Sequence, residues 1–396
     1  MNRTENVKTE RRIGRYWKIL LVIAAIWAVF FALSFIKSFD DRYVNHILPA
    51  VNNVVARIFD IFPFAVGEYV MYISAVVAAV TVLLSLALGI RRLVLKIRKK
   101  EAKKVAFYRV YMKGILVIAV YFLWTYLFHW WIPYNGHVMG EEPERRGYTA
   151  EEYLYVLNLV GERFRAAQNA VPRGEDRRII YPDKETAYRA VVASMEKLSE
   201  RYPRLKGYYA SPKAARCSDV LDWMGIGGFT YPFTMEITYN KYVDNLYWYT
   251  MVAHETAHYK GFYKENEGEF LGILAGVVSD DPIAAYSGCD CAYYDLFAAY
   301  FNCLTQSYGL QGAMEILKKT PIAGPDTELL NFDEYEAELA AEEAYAADDH
   351  PLQEYSDTAA DVADTGWDVQ ENVVQENYYD DSTRLIMDYF LGLRQE

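Results

Sequence analysis

Three long apolar stretches, separated by polar segments, dominate the first third of the chain. They run over Ile19–Ile36, Ala65–Ile90 and Gly114–Ile132. A helix needs about 20 apolar residues to cross the hydrocarbon core of a bilayer, and these stretches are close to or above that length with no charge near their middle. The pattern therefore predicts a lipid bilayer as a partner and three transmembrane helices, over about 17–36, 65–90 and 114–132.

The first stretch follows a polar, basic N-terminus, as either a signal peptide or a membrane anchor would. Ala32-Leu-Ser34 has the small-x-small form of a signal-peptidase site. An apolar run of about 18 residues is nevertheless long for the core of a signal peptide, and this length favours an uncleaved anchor.

The distribution of basic residues predicts the orientation of the spans. Lys and Arg are dense in the segment that links the second and third stretches, at Arg91, Arg92, Lys96, Arg98, Lys99, Lys100, Lys103 and Lys104. Such density is typical of the cytoplasmic side of a membrane. We therefore expect a multi-pass protein of the bacterial cytoplasmic (cell) membrane, with its N-terminus inside and everything after Trp131 extracytoplasmic. His129 lies at that outer edge, where we interpret it as an interface residue rather than a metal ligand.

The polar remainder of the chain has helical patterns with one short strand. We divide the chain into a membrane region, 1–132, and an extracytoplasmic domain, 133–396. Thr149-Ala-Glu-Glu152 is a capping box that predicts a helix to about Ala170, and Asp183 can cap a second helix. Phe233–Tyr239 alternates in the manner of a strand. The predicted fold is therefore mainly α with a small edge sheet.

Residues 254 to 258, His-Glu-Thr-Ala-His, carry the clearest chemistry. On a helix, positions four residues apart stack on one face, so His254 and His258 can bind one metal ion, as in zinc metallopeptidases. Glu255 is then placed to take a proton from a water on that metal. Asp244 is a plausible N-cap for this helix and Gly261 a plausible C′ residue. A preceding edge strand would hold an extended substrate by main-chain pairing.

A third protein ligand is expected from the next helical segment, which offers three glutamates. Glu265 and Glu269 share a stripe with two glycines, which would allow close approach to the histidine helix. We predict Glu265 as the ligand and Glu269 as an acceptor that orients a histidine. Glu267 lies on the opposite, apolar stripe and remains the alternative ligand. The glycines of the first stripe are Gly272 and Gly276.

These motifs resemble those of a known family. The chain reads His254-Glu-Thr-Ala-His-Tyr-Lys-Gly-Phe262 and then Glu265-Asn-Glu-Gly-Glu-Phe270. It is similar to the bacterial membrane family catalogued as domain of unknown function 3810 (DUF3810), in which the second motif usually has Ala-Asn in place of Gly268-Glu269. Pro63–Glu68 and Gly228–Phe233 also resemble family features. Glu265, followed four residues later by Glu269 and seven residues later by Gly272, resembles the second motif of gluzincin peptidases. This resemblance implies an α+β zincin-like metallopeptidase domain.

The expected function is that of a membrane-anchored zinc (Zn²⁺) metalloendopeptidase acting on extracytoplasmic or cell-envelope proteins or peptides. The alternative is a non-catalytic sensor or scaffold that keeps the zinc-binding fold. Such peptidases usually add a transition-state donor from further along the chain, and nothing in the sequence selects among the candidates Tyr378, Tyr379, His350 and Arg384. Nothing in the sequence suggests nucleic-acid binding.

Two further features belong to the predicted outer domain. It contains all four cysteines, Cys217, Cys289, Cys291 and Cys303. If disulfides form, we expect each of the closely spaced pair Cys289 and Cys291 to join one of the other two, while the spacing does not favour a cysteine metal site.

An acidic segment, 326–381, is interpreted as a solvated face or flexible insertion. After it, an apolar pattern resumes from Thr383 to Leu393, and we expect this segment to pack back onto the domain.

Overall fold

A computed structural model describes residues 14–101, 105–137, 139, 147–347 and 378–394. Side chains of residue 338 and of 341–347 and 378–381 lie outside this description. The described part is mainly helical. Its helices are α1 Arg15–Leu33, α2 Lys37–Arg42, α3 Leu48–Phe59, α4 Val66–Ile97, α5 Ala106–Tyr126, α6 Ile132–Tyr134, α7 Ala150–Ala170, α8 Lys184–Leu198, α9 Ser218–Trp223, α10 Tyr247–Tyr259, α11 Glu265–Val277, α12 Pro282–Lys319, α13 Thr327–Ala347 and α14 Tyr378–Leu393. Short π-helical turns join α2 to α3 and α5 to α6.

Three helical stretches are long and apolar enough to cross a bilayer, as predicted. They are α1, α4 and the continuous run from Ala106 to Tyr134. The bounds of these helices differ from the predicted spans because the prediction followed the apolar residues, whereas a helix can begin before an apolar stretch or continue beyond it. The second span continues to Ile97, since Arg and Lys are good helix formers that extend a helix beyond the apolar part. The first ends at Leu33, three residues early.

Helices α1 and α5 run side by side in the same direction. Near their starts, the Tyr16 hydroxyl donates to the Lys113 carbonyl (2.9 Å), and further along the Trp27 indole donates to the Leu123 carbonyl (3.1 Å). The start of α1 and the segment between α4 and α5 therefore lie at one end of the bundle. Arg15 and Lys18 of α1 and the described basic residues at the end of α4 therefore share that end, while the side of the membrane on which it lies stays a prediction.

The segment between the first two spans packs against the later part of the chain. The Asn52 amide on α3 donates to the Tyr259 carbonyl on α10 (2.8 Å). At the start of α4, the buried Glu236 carboxylate accepts the backbone N–H groups of Val66 and Gly67, at 3.0 and 2.7 Å. A carboxylate at a helix N-terminus is favoured by the helix dipole. The candidate spans are thus joined firmly to the region that carries the histidine motif.

A hydrogen-bond contact fixes the position of His129. This side chain is buried, and its Nδ1 lies 2.8 Å from the Pro232 carbonyl oxygen. It joins the end of the third candidate span to the turn at residues 232–234. His129 is not in the group of described residues that could hold a metal ion, and its place at a membrane interface stays a prediction.

The main core is built from α7, α8, α10, α11, α12 and α14. Helix α11 lies at its centre, and Leu271 and Leu274 are completely buried. The expected packing of the segment from Thr383 to Leu393 is confirmed, and the structure shows that this segment is a helix, α14, which buries Ile386 and Met387 against this core. Both predicted helix starts are also confirmed: α7 begins with the complete Thr149–Glu152 capping box, and Asp183 caps α8. The part of the acidic segment from 348 to 377 lies outside the described residues.

A three-stranded sheet has the order β1 (Lys213–Ala214), β3 (Ile237–Tyr239), β2 (Gly228–Thr230). β1 pairs parallel and β2 antiparallel to β3. The predicted strand was too long, because a turn follows Tyr231 and Met235 has a left-handed φ of 54°, so only its last three residues extend. The prediction of an edge strand was also wrong for this segment. β3 is the central strand and β2 is the edge beside α10.

The four cysteines are free in the structure, so the expected bridges are not formed. Three of them, Cys289, Cys291 and Cys303, lie on the one helix α12. At 1.5 Å per residue, Cys289 and Cys303 are about 21 Å apart along its axis, far beyond disulfide reach. Cys217 lies just before α9 and its backbone N–H binds Glu68. The helix α12, whose extent the sequence analysis did not predict, therefore excludes a bridge from Cys289 or Cys291 to Cys303.

Candidate metal centre

The helix of the histidine motif begins where Asp244 accepts free backbone donors. Its carboxylate takes the N–H groups of Leu246 (2.8 Å) and Tyr247 (3.0 Å), which satisfies donors that a helix start leaves unpaired. α10 then continues without interruption to Tyr259. His254 and His258 stack on one face of it as predicted, with ring centroids 4.5 Å apart.

The end of α10 fixes the second histidine. Gly261 has a φ of 97°, which favours glycine. Its N–H bonds the His258 carbonyl and that of Phe262 bonds the Ala257 carbonyl, both at 3.0 Å, so the turn is a Schellman motif. The turn brings the Phe262 carbonyl within 2.7 Å of His258 Nδ1. Since this nitrogen donates its proton to the carbonyl, the neutral form of the ring carries its lone pair on Nε2, which faces the cluster.

Glycines let α11 lie very close to α10. A Cβ atom at Gly272 would lie 2.8 Å from the Thr250 carbonyl oxygen and 3.1 Å from the His254 backbone nitrogen. One at Gly268 would lie 3.0 Å or less from the Cε1 atoms of both imidazoles. The predicted close approach is confirmed at Gly272. Gly276 approaches a different helix, because its Cα packs against α12.

The two imidazoles and Glu265 converge. His254 Nε2 lies 3.2 Å and His258 Nε2 3.6 Å from the same Glu265 carboxylate oxygen, Oε2. Two ligands at about 2.0–2.1 Å from a tetrahedral zinc ion would be roughly 3.4 Å apart. The spacing therefore fits a metal ion between them, and these three residues form a group that could hold one. The histidine side chains remain 16% and 14% exposed and Glu265 37%, so solvent reaches the cluster.

Glu267, the alternative ligand, lies elsewhere. It is buried, and its carboxylate accepts the Met139 backbone N–H at 2.9 Å. Burial raises the pKa of Glu267, while the positive charge of Arg204 opposes that rise. Glu267 lies on the face of α11 opposite Glu265, where its hydrogen bond joins this helix to the segment that follows the third candidate span. Glu265 alone of the two acids reaches the imidazoles.

Glu269 occupies the orienting position predicted for it. Its carboxylate oxygen lies 3.4 Å from His254 Nδ1, the ring nitrogen that points away from the cluster. Both histidines thus have an acceptor at Nδ1, a carboxylate for His254 and a main-chain carbonyl for His258. Such outer contacts hold ligand rings in the geometry that a metal needs.

Glu255 is buried and held beside the edge strand. The Thr230 hydroxyl lies 2.9 Å from its carboxylate oxygen Oε2 and 2.9 Å from its backbone carbonyl. Close approach is possible because Gly228 on β2 has no side chain, and a Cβ there would lie 3.3 Å from Glu255 Cγ. Burial raises the pKa of Glu255, against the opposing charges of His258 and His254. A raised pKa suits a carboxylate that must accept and return a proton.

The cluster is strongly coupled electrostatically. Burial lowers the pKa of His254, but its contacts with Glu265 and Glu269 outweigh burial and raise that pKa well above 6.5. The pKa of His258 is raised as well, by Glu265 against the effect of burial. The pKa of Glu265 falls well below its usual value because of the two imidazoles, although burial opposes this. Without a metal, the acid and the histidines therefore favour an ion-paired form.

The transition-state donor was left open among four residues. His350 and the side chains of Tyr378 and Tyr379 lie outside the described residues. Arg384 lies on α14, where its side chain faces Asp388 (3.9 Å) and its carbonyl accepts the Tyr148 hydroxyl. The described contacts do not bring Arg384 to the cluster.

Sequence reasoning missed two contributors to this site. Thr230 lies in the Gly228–Phe233 segment that resembled a family feature, but its contact with Glu255 depends on strand pairing. The Phe262 carbonyl follows Gly261, and only the turn that Gly261 makes brings it to His258.

Comparison with known proteins places the chain among uncharacterised relatives. The family model described as Protein of unknown function (DUF3810) matches residues 43–310, about two thirds of the chain and all of the candidate centre. No curated protein and no solved structure matches.

Proposed function

The chain belongs to the DUF3810 family, and from its site we propose that it is a membrane-anchored, zinc-dependent metallopeptidase that hydrolyses peptide bonds in extracytoplasmic or cell-envelope proteins or peptides. One observation carries the proposal: His254 and His258 converge on Glu265 at tetrahedral ligand spacing, with Glu255 buried beside them. Two imidazoles and one carboxylate form a donor set typical of catalytic zinc, which keeps a fourth position open.

The proposed reaction divides the work among these residues. Zinc, when bound, supplies a Lewis acid that polarises the peptide carbonyl and lowers the pKa of water. Glu255 accepts the proton of the attacking water and returns it to the leaving amine, while Thr230 keeps its carboxylate in place. The free edge of β2 can pair with an extended peptide through main-chain hydrogen bonds. Glu269 and the Phe262 carbonyl keep the imidazole rings oriented.

The test uses the full-length protein in detergent or nanodiscs. Bound metal is measured by mass spectrometry, and cleavage is followed on an unbiased peptide library. Glu255→Gln removes the proton acceptor but no predicted ligand. Glu162→Gln, an exposed position on α7, is the matched control.

The wild type and Glu162→Gln are expected to bind one zinc ion and cleave. Glu255→Gln should bind zinc but cleave about 10²–10⁴-fold more slowly, the usual contribution of a general base. Stoichiometric zinc without cleavage by the wild type would favour the sensor or scaffold alternative. Failure to bind zinc would overturn the metal assignment itself.

A further inference from the structure

Helix α9 exposes an apolar face. Val220, Trp223 and Met224 are 46%, 36% and 40% exposed, and their spacing of three and four residues places them on one side. Surface helices of water-soluble domains usually direct such a stripe inward. Clustered exposed apolar side chains mark a surface that binds something.

The polar residues of α9 point the opposite way. The Asp219 carboxylate accepts the Tyr242 hydroxyl at 2.6 Å, and Asp222 accepts the Asn240 amide at 3.0 Å. Both acids of this helix, together with the buried Leu221, therefore contact the protein, while Val220 and Trp223 face outward. Water disfavours an outward apolar face of this kind beside acids that bind inward.

The position of α9 relates this face to the candidate span α4. Glu68, in the first turn of α4, accepts the backbone N–H groups of Arg216 (3.0 Å) and Cys217 (2.8 Å), which immediately precede α9. The Tyr72 hydroxyl, one turn further into α4, also binds Glu68. The first residues of α9 therefore lie beside the first turn of α4, the end at which α4 would enter a bilayer.

Aromatic side chains at the start of α4 lie beside the segment that precedes α9. The Phe62 ring contacts Phe64 (centroids 5.8 Å apart), which contacts Tyr69 (5.0 Å). The exposed guanidinium of Arg216 lies 5.8 Å from the Tyr69 ring centre. Aromatic and basic residues are enriched where helices leave a membrane. The apolar face of α9 therefore continues a surface of interfacial character.

We propose that the face formed by Val220, Trp223 and Met224 docks into the membrane surface at the end where α4 begins. Its occupant is the headgroup and upper acyl-chain region of the bilayer, and Arg216 is placed to meet lipid phosphate. Apolar side chains that lie in this region, with basic residues beside them, are how interfacial helices bind membranes.

This docking would place the candidate centre at the bilayer surface. Only four residues separate Trp223 from Gly228, where β2 begins, and β2 carries the threonine that holds Glu255. The consequence for substrate rests on the proposed peptidase function. Its substrates would then be peptide segments close to the membrane surface, such as those that emerge from a membrane anchor.

The test measures lipid contact directly. A photoreactive diazirine amino acid replaces Val220 or Trp223, one at a time, in the full chain reconstituted into phosphatidylethanolamine–phosphatidylglycerol vesicles containing an alkyne-tagged lipid. Ile73, exposed on α4, is the reference for lipid contact, and Ile180, exposed in the loop before α8, is the reference for water. All four positions are apolar and exposed, so substitution leaves the core intact.

Lipid cross-linking at both test positions is expected to be within about threefold of Ile73 and well above Ile180, as for side chains that lie in the interface. Yields equal to that of Ile180 would overturn the proposal. Cross-linking to a second copy of the chain in place of lipid would also overturn it, because the face would then be a protein interface. The measurement requires neither metal nor turnover, so its outcome is separate from that of the peptidase test.

Discussion

Substituting Gly272 by alanine tests whether the close spacing of α10 and α11 is required by the candidate metal centre. The added Cβ would lie 2.8 Å from the Thr250 carbonyl oxygen and 3.1 Å from His254 Cβ. Ordinary contact begins at about 3.4 Å, so the helices must separate by about 0.6 Å. The Thr250 oxygen is main chain, which cannot rotate away. His254 and Glu265 lie on the two helices that move apart.

The expected effects follow from that displacement. Overpacking costs about 1–3 kcal/mol, and the better helix propensity of alanine offsets up to about 1 kcal/mol, so the net loss of unfolding free energy lies between about 0 and 3 kcal/mol. Metal sites tolerate errors of about 0.2 Å in ligand distance. A shift larger than this should lower zinc affinity by about tenfold or more, or at least about 1.4 kcal/mol.

Gly276→Ala is the matched control. Its Cβ would lie 2.5 Å from Gly288 Cα on α12, so it should destabilise the fold at least as much without separating α10 from α11. Thermal unfolding of the metal-free proteins gives the stability loss, and competition with a chelating indicator gives zinc affinity. Equal loss of zinc affinity in both variants, or wild-type affinity in Gly272→Ala, would refute the reasoning.

Three further predictions concern the groups around the cluster. Glu269→Ala removes the acceptor at His254 Nδ1 and should weaken zinc binding about 10–100-fold in the same competition assay; unchanged affinity would mean that Glu269 does not orient the ring. Thr230→Val removes the hydroxyl that holds Glu255, so kcat should fall with zinc content unchanged, and a loss confined to KM would contradict this role. Because the pKa values of His254 and His258 are raised above 6.5, protons compete with the metal, and zinc affinity should fall as pH is lowered, beginning above pH 6.5. Each proton displaced contributes about tenfold per pH unit, and a titration showing no dependence between pH 6 and 8 would contradict the coupling.

Much of the candidate centre followed from spacing alone. Residues four apart on a helix share a face, which is sufficient to pair His254 with His258 and to place Glu265 on the same stripe as Glu269. Gly261 was predicted to end the motif helix because helix ends often need a left-handed residue, and the structure has one there. These are local properties, fixed within a few turns of chain.

The errors arose where distant segments meet. Strand pairing made β3 central and β2 the edge, which periodicity in one segment cannot reveal. The length of α12 holds Cys289 and Cys291 far from Cys303, so the pairing that we expected if bridges formed is not made. Nothing in the sequence indicated the buried contact between His129 and Pro232, which depends on a turn about 100 residues away.

The sequence by itself determined the three apolar spans, the paired imidazoles and the candidate base Glu255, because each is encoded in a short periodic pattern. Only the tertiary structure placed Glu265 rather than Glu267 beside the imidazoles, brought Thr230 to Glu255 and turned Val220 and Trp223 of α9 outward. The physical reason is that these outcomes depend on which helix lies against which. Close approach at Gly268 and Gly272 brings one acid to the imidazoles and directs the other towards Met139.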